Sequence, residues 1–490
     1  MNVIAREINV PHSLSVINDN HSEYFNIQTA SVRYLYIKIE ILDEQDNVIN
    51  ELSGMAIDGS FNITDTVIRR TCNVTFQLEE GYLPTDTNSL FWINKKFHLF
   101  IGLATVAQDT IYWFDKGIYV IKDPDINITV NHNTITINGL DKMALYSGDI
   151  DGQLSTNTLV TVESGATRRG VVKAVMMNDG EQENNIIINN PINSVIMDEA
   201  IPYNIESAIS DNTTDILDKV VDTLANYQYY YNLAGNFIFE PKPIKGDFKN
   251  SNIEWDFEQN NNIIISITKA IDYANIKNRI TIWGGVHEDG YQPSYELILT
   301  DNDADFGDSP FTVEKLNEKH SNGSTMYRDY VEQCDDYVDA ILDFINSTED
   351  TFFPYNICIV FNNTYYRCNN ENGTNKSKGD PRANSDWVRI CTVDELKNAT
   401  GESFRSYMRQ IHAYSGELCK SKAKEVMFNC YLANDIVTIN CVPIYSLDVN
   451  SVIIINDKLS ETKGFYVIKD ISCQLSTNGT MTITAHKLWD

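Results

Sequence analysis

The octapeptide KGIYVIKD at residues 116–123 returns almost letter for letter as KGFYVIKD at residues 463–470. Each copy is followed, after a short polar gap, by an alternating stretch, NTITING at 133–139 and TMTITAH at 480–486. Alternation is the period of a strand with one face on a core, so each copy reads as the first arm of a hairpin. Period two puts Tyr119 and Ile121 on one face and Ile118, Val120 and Lys122 on the other. Strands of Ile, Val and Tyr resemble one another by chance, but the Lys-Gly before the centre and the Lys-Asp after it match too. The separation is far longer than the repeat of a solenoid or propeller. It fits a duplicated domain, each copy closing its own β-domain. Two such domains per chain would let three chains present six near-equivalent surfaces around one axis.

The rest of the chain supports a mainly β fold with α+β inserts. From Val32 to Tyr146, strands such as VRYLYIKIEIL, CNVTFQL and KFHLFIGL recur at short intervals between turn residues, the rhythm of a sandwich or barrel. Residues 1–150 are the first β-domain. Residues 151–262 are a loop-rich connector and a small α+β subdomain, with a helix over 212–227 and a hairpin over 228–240. Asn212 caps that helix with Asp215 three residues on, and Ile216, Leu217, Val220, Val221 and Leu224 form its apolar stripe. Ala234-Gly235-Asn236 turns the hairpin. Residues 263–334 and 411–490 make the second β-domain, interrupted by an insert over 335–410. YRDYVEQCDDYVDAILDFIN (327–346) and SGELCKSKAKEVMFNC (415–430) read as helices.

Charge narrows the function. The 490 residues carry a formal net charge of −30, the wrong sign for holding phosphates, so no specific nucleic-acid binding is expected. An acidic surface past which a polyanion moves without sticking is compatible with it. No apolar run is long enough to span a bilayer, and the first twenty residues lack a signal-peptide core. The nine cysteines show no metal or C-x-x-C spacing and read as buried thiols of a reducing cytoplasm.

No catalytic residue, metal site or cofactor is expected. Asp301, Asp303 and Asp305 begin like a calcium loop, but Phe306 stands where the turn needs glycine and Thr312 where the bidentate glutamate belongs. GDSP at 307–310 has Pro310 in place of the glycine of a serine nucleophile loop. His287-Glu288-Asp289 reads as an exposed loop. No G-x-S-x-G, Walker or H-E-x-x-H sequence occurs.

Three stretches resemble the central hub proteins of bacteriophage tail baseplates. They are IRRTCNVTF (68–76) with WINKKFHLFIGL (92–103) and WFDKGIYVI (113–121), then NRITIWGG (278–285), then the ending from VPIYSLDVNSVIIIND to GFYVIKDISCQLSTNGTMTITAHKL. The resemblance implies two related antiparallel β-barrel or sandwich domains of tail-tube type and a homotrimeric ring at the distal end of the tail tube. It also implies a DNA channel, with a tail tube protein above, a spike or tip below, and baseplate wedge proteins around. The location would be the virion tail baseplate, assembled in the cytoplasm of the host bacterium.

Within the insert, residues 351–400 resemble the small carbohydrate-binding modules of chitinases and phage tail proteins. CIVF, the turn NNT, YYRC, a polar loop with Asp380-Pro381, and DWVRI follow the same order. Sugar rings stack their C–H faces on aromatic rings, so Tyr365, Tyr366 and Trp387 are the candidate carbohydrate-binding residues. The competing reading makes them the core of an insert too small to have another. The alternative function is accordingly a receptor- or cell-wall-binding tail protein that takes a host cell-wall glycan.

Overall fold

The computed structural model describes residues 6–12, 22–55, 58–77, 83–93, 95–106, 109–130, 133–154, 160–224, 226–259, 261–272, 275–286, 290–313, 315, 342–343, 351–355, 357–376, 379–392, 406–411, 415–432, 435–476 and 478–489. The chain divides into two units, residues 1–275, 282–295 and 409–490 forming one and residues 276–281 and 296–408 the other.

The first unit is built on one large, mainly antiparallel sheet. Its first half holds β1 (Arg6–Asn9), β2 (Tyr34–Leu42), β3 (Val48–Met55), β4 (Asp58–Thr64), β5 (Arg70–Gln77), β6 (Lys96–Ala104), β7 (Thr110–Ile128) and β8 (Asn133–Asp141). Helix α1 (Ser22–Thr29) precedes β2. Strand alternation does what the sequence implies: Ile37, Ile39 and Ile41 of β2, Cys72 and Val74 of β5, and Ile135 and Ile137 of β8 all enter one core.

The α+β subdomain follows. It contains β9 (Thr161–Val162), α2 (Arg168–Asn178), β10 (Ile186–Ile188), β11 (Ile205–Glu206), α3 (Thr213–Val221), β12 (Tyr227–Tyr231) and β13 (Phe237–Pro241). The expected helix over 212–227 stops early, at Val221, and the Asn212 N–H donates to Asp215 Oδ2 at 2.7 Å at its start. The expected loop-rich connector contains α2, whose Val171, Val172 and Met176 pack against Ile216, Leu217 and Val220. The hairpin forms, with Tyr231 facing Phe237 across a loop where Gly235 takes a left-handed φ of 77°.

The second half of the large sheet begins with β14 (Ile253–Asp256), after the short α4 (Lys245–Asn250), and β15 (Ile264–Ala270). It resumes with β25 (Ile436–Cys441), β26 (Val452–Asp457), β27 (Thr462–Gln474) and β28 (Met481–Trp489), after the helix Gly416–Leu432. The intervening strands are β16 (Arg279–Trp283), β17 (Ser294–Ile298), β18 (Leu342–Asp343), β19 (Phe352–Phe353), β20 (Cys358–Phe361), β21 (Thr364–Cys368), β22 (Thr374–Asn375), β23 (Trp387–Thr392) and β24 (Ser406–Gln410).

The two halves share one strand order. The first runs β4-β5-β8-β7-β6 and the second β15-β25-β28-β27-β26, each strand in the same chain order. They meet where β27 pairs antiparallel with β4, so the sheet continues from one into the other and both halves feed a single hydrophobic core.

In the second unit, β18, β20, β21 and β23 form a small sheet over a core of Phe353, Ile357, Ile359, Tyr366, Cys368 and Trp387. Of the helix expected over 327–346, Leu342 and Asp343 are instead strand β18, paired in parallel with β20, and the rest lies outside the described residues. The expectation of thiols throughout is also corrected. Among the described residues, seven cysteines are buried and outside any disulfide, but Cys358 is disulfide-bonded.

Candidate functional site

The repeated octapeptides occupy the same place in the two halves. In the first half Ile121 faces Gly139, which faces Cys72, which faces Phe61. In the second half Ile468 faces Ala485, which faces Val437, which faces Lys269. Both ladders slip by one residue immediately after this isoleucine, leaving Lys122 and Lys469 as the extra residues. Such a bulge bends its strand and sharpens the twist, letting one long strand serve two neighbours. Gly117 and Gly464, one residue into each repeat, take φ of 95° and 112°, a region that side chains other than glycine rarely adopt. Tyr119 and Tyr466, two residues later, are both fully buried.

The packing around these tyrosines is complementary between the halves. Tyr119 faces Phe97 and stacks on it, centroids 5.4 Å apart, over the bare Cα of Gly139. Tyr466 faces Ile453, with Ala485 in the place of the glycine. One half has large plus small where the other has two of middle size.

The second face of the first repeat, that of Ile118 and Val120, is covered as well. Ile118 and Val120 are buried, and Gly235 of the hairpin lies against Ile118. The subdomain is tied down by buried cations. Lys142 Nζ donates to Gly235 O at 3.0 Å and pairs with Asp46 at 2.8 Å and Glu181 at 3.2 Å. Arg70 donates to Tyr231 O at 2.9 Å and to Asp448 Oδ2 at 2.5 Å, joining the first half, the subdomain and the second half through one guanidinium. Burial pushes the Asp448 carboxyl up, but Arg70 and Lys116 outweigh it and hold it below the usual range. Glu254, half-buried near the same cluster, goes the other way. Burial raises it to about 7, although the Ser451 hydroxyl donates to it at 2.7 Å.

The junction between β27 and β4 pairs Ile471 with Ile63, Ser472 with Asn62, Cys473 with Phe61 and Gln474 with Ser60. At its end Lys469, the bulge lysine, pairs with Asp65 at 2.6 Å, and Arg69 reaches the same carboxylate at 3.3 Å. Burial raises Asp65, yet Lys469 and Arg69 bring it below its ordinary value.

The equivalent segments at the outer ends are open. Among the described residues, the stretch Asp123–Ile128 of β7 pairs only with β8, since β6 leaves β7 at Val120. Likewise β15, the counterpart of β4, pairs only with β25. Sequence reasoning singled out none of Asp65, Arg70, Asp448 or these edges, because partners hundreds of residues apart leave no local pattern. The one available signal was Pro124 inside an otherwise regular strand, which marks an edge.

Of the three predicted carbohydrate-binding residues, Tyr366 and Trp387 come together in the core of the insert, while Tyr365, the preceding residue of β21, lies outside that cluster. Tyr365, Tyr366 and Trp387 retain 9%, 6% and 6% of their exposure, and Trp387 meets Phe353 edge-on at 5.4 Å. Among the described residues of this unit, the exposed rings are instead Phe352 and Tyr355. The aspartate turn at 301–315 is closed by its own groups: Thr312 Oγ1 donates to Asp301 at 2.5 Å and Lys315 Nζ stands 3.3 Å from the same carboxylate. His287-Glu288-Asp289 lies outside the described residues. No described helix is long and apolar enough to cross a membrane.

No protein-family model and no curated protein matches the chain. Solved structures do. The chain is similar to the tail protein from Neisseria meningitidis MC58, with a TM-score of 0.50 and 8% identity over 92% of this chain and 96% of that one. The 43 kDa tail protein of prophage MuSo2 from Shewanella oneidensis aligns at a TM-score of 0.45 and 8% identity, over 92% and 98% of the two chains. The prophage tail protein gp18 from Listeria monocytogenes EGD-e aligns at 0.41 and 10% identity, over 92% and 94%. At such identities the Neisseria likeness speaks for the fold alone: a β-rich tail-protein architecture with small helical inserts.

Proposed function

We propose that this chain is a structural virion protein, the ring-forming hub of a phage tail baseplate. The observation that carries this reading is the repeated strand order, β4-β5-β8-β7-β6 and β15-β25-β28-β27-β26, within one continuous sheet. A subunit holding two like modules is the natural adaptor between a sixfold tube and a threefold tip, because three copies offer six near-equivalent modules. The fold shared with the tail protein from Neisseria meningitidis MC58 agrees with that role.

In this reading the modules are the two tube-like β-domains expected at 1–150 and at 263–334 with 411–490, the second carried by β14, β15 and β25–β28. They stand around a central channel as a homotrimer. The tail tube sits above, a spike or tip below and wedge proteins at the rim. The net charge of −30 suits a lumen through which DNA must slide without sticking. The role is architectural rather than catalytic, and it is exercised in the virion after assembly in the host bacterium. The test is co-assembly. Full-length chain mixed with subunits of its tail tube should nucleate tubes capped at one end. Tubes forming at the same rate and uncapped, with the chain left in the supernatant, overturn the reading.

A further inference from the structure

The internal junction is a template for a second one. Tracing registers outward from the repeats, Phe61 of β4 occupies the place of Lys269 of β15, and Cys473 of β27 the place of Ile126 of β7. The β27–β4 junction is therefore occupied inside the chain, while its counterparts on β7 and β15 both stand open among the described residues.

We infer that the open edge of β7, Pro124–Ile128, pairs antiparallel with the open edge of β15 in a second copy of this chain, repeating the internal junction. The register follows by substitution. Gln474 faces Ser60 inside the chain, so Asn127 faces Thr268 of the next copy, Ile126 faces Lys269, and Ile128 faces Ile267. The inference rests on the ring reading of the preceding section and names the surface that closes the ring.

Three further observations favour this occupant. The two edges carry exposed apolar side chains: Ile126 at 40%, Ile128 at 69% and Ile265 at 57%. An edge of this kind invites pairing unless something covers it. The hydrogen-bonding parity also agrees. Leu475 N–H donates to Gly59 O at 2.8 Å and Asp65 N–H to Lys469 O at 3.0 Å, so every second residue of β27 bonds across the junction. The same parity in β7 turns Pro124, Ile126 and Ile128 outward. Pro124 thus costs the new junction one donor and β8 none, which is where a proline is tolerated. Finally, the contact is head-to-tail: β7 and β15 are different surfaces, and such contacts build closed rings or open filaments, never twofold dimers.

The test uses the full chain with Asn127→Cys and Thr268→Cys, two exposed side chains, under mild oxidation. In antiparallel non-hydrogen-bonded pairs the Cα atoms stand about 4.5 Å apart, within disulfide reach. The expected product is a covalent species of three chains that reducing agent returns to one. Asn127→Cys with Ser266→Cys, two residues out of register, should lose most of that product. Ile128→Pro alone, on the outward parity, should lower ring yield while the monomer keeps its thermal transition. Rings seen by native mass spectrometry without cross-linking overturn this edge and leave the ring reading standing. Cross-linked chains that extend without closing support the edge and overturn the ring. Monomers alone, neither cross-linked nor associated, overturn both.

Discussion

Gly139 offers a direct probe of how alike the two modules are. A Cβ built there would lie 2.6 Å from Phe97 Cζ and 2.9 Å from Tyr119 Cβ, both fully buried, so neither ring has room to retreat. Gly139 does not need a left-handed backbone, so the conflict is steric alone. Overpacking of this kind costs about 1–3 kcal/mol, against a gain of about 0.4–1 kcal/mol from a stiffer unfolded chain. Gly139→Ala should therefore destabilise by about 1–2 kcal/mol. The other module already contains the remedy, with Ile453 and Ala485 in the equivalent places. Phe97→Ile alone removes three carbons, opens a void and should cost about 2–3 kcal/mol at roughly 0.8 kcal/mol per carbon lost. Together the two changes should cost less than their sum by at least about 1 kcal/mol. The assay is a double-mutant cycle on denaturation midpoints at fixed protein concentration, with amide exchange of β7 and β8 as the local readout. Strictly additive costs, with the double variant the least stable, would refute the equivalence of the two packings.

Other outcomes follow from the buried charges and the insert. The raised Glu254 binds its proton more tightly folded than unfolded, so its contribution is present at low pH and is lost as pH rises through about 7. Glu254→Gln should leave stability unchanged near pH 4 and raise it by up to about 3 kcal/mol near pH 8, read from urea titrations. The depressed Asp448 has the opposite sign, its contribution lost as pH falls below the ordinary carboxylate range. Arg70→Met, which strands that carboxylate, should cost about 3 kcal/mol at pH 7 and flatten the acid limb of the stability curve. Trp387→Ala should unfold the insert core, seen as early proteolysis within 351–392, while ring formation persists; a loss confined to glycan binding, with the insert intact, would instead favour the stacking role.

Much of the architecture was legible because a strand with one buried face alternates. The repeats, the first run of strands and the closing hairpin all show it. The remainder was hidden for identifiable reasons. Helix α2 contains Gly170 and the β-branched Val171 and Val172, all poor helix formers, and the burial of the two valines against α3 overrides their propensity. The IEWD segment of β14 is too short for a period to register. Period two separates Ile118 and Val120 from Tyr119 and Ile121, but the hairpin near Gly235 packs against Ile118, which no local pattern announces. The aromatics of the insert were legible as a cluster, and only packing could tell that Tyr366 and Trp387 face inward.

Each subunit should contribute two alike walls to one closed pore. Electron-microscopic class averages of the purified full-length chain, with its mass measured in the same preparation, ask this most directly. Three chains should form a ring with six near-equal lobes around an open channel, threefold once the insert and subdomain are resolved. Particles that stay single at high concentration, or pair about a twofold axis, would contradict it.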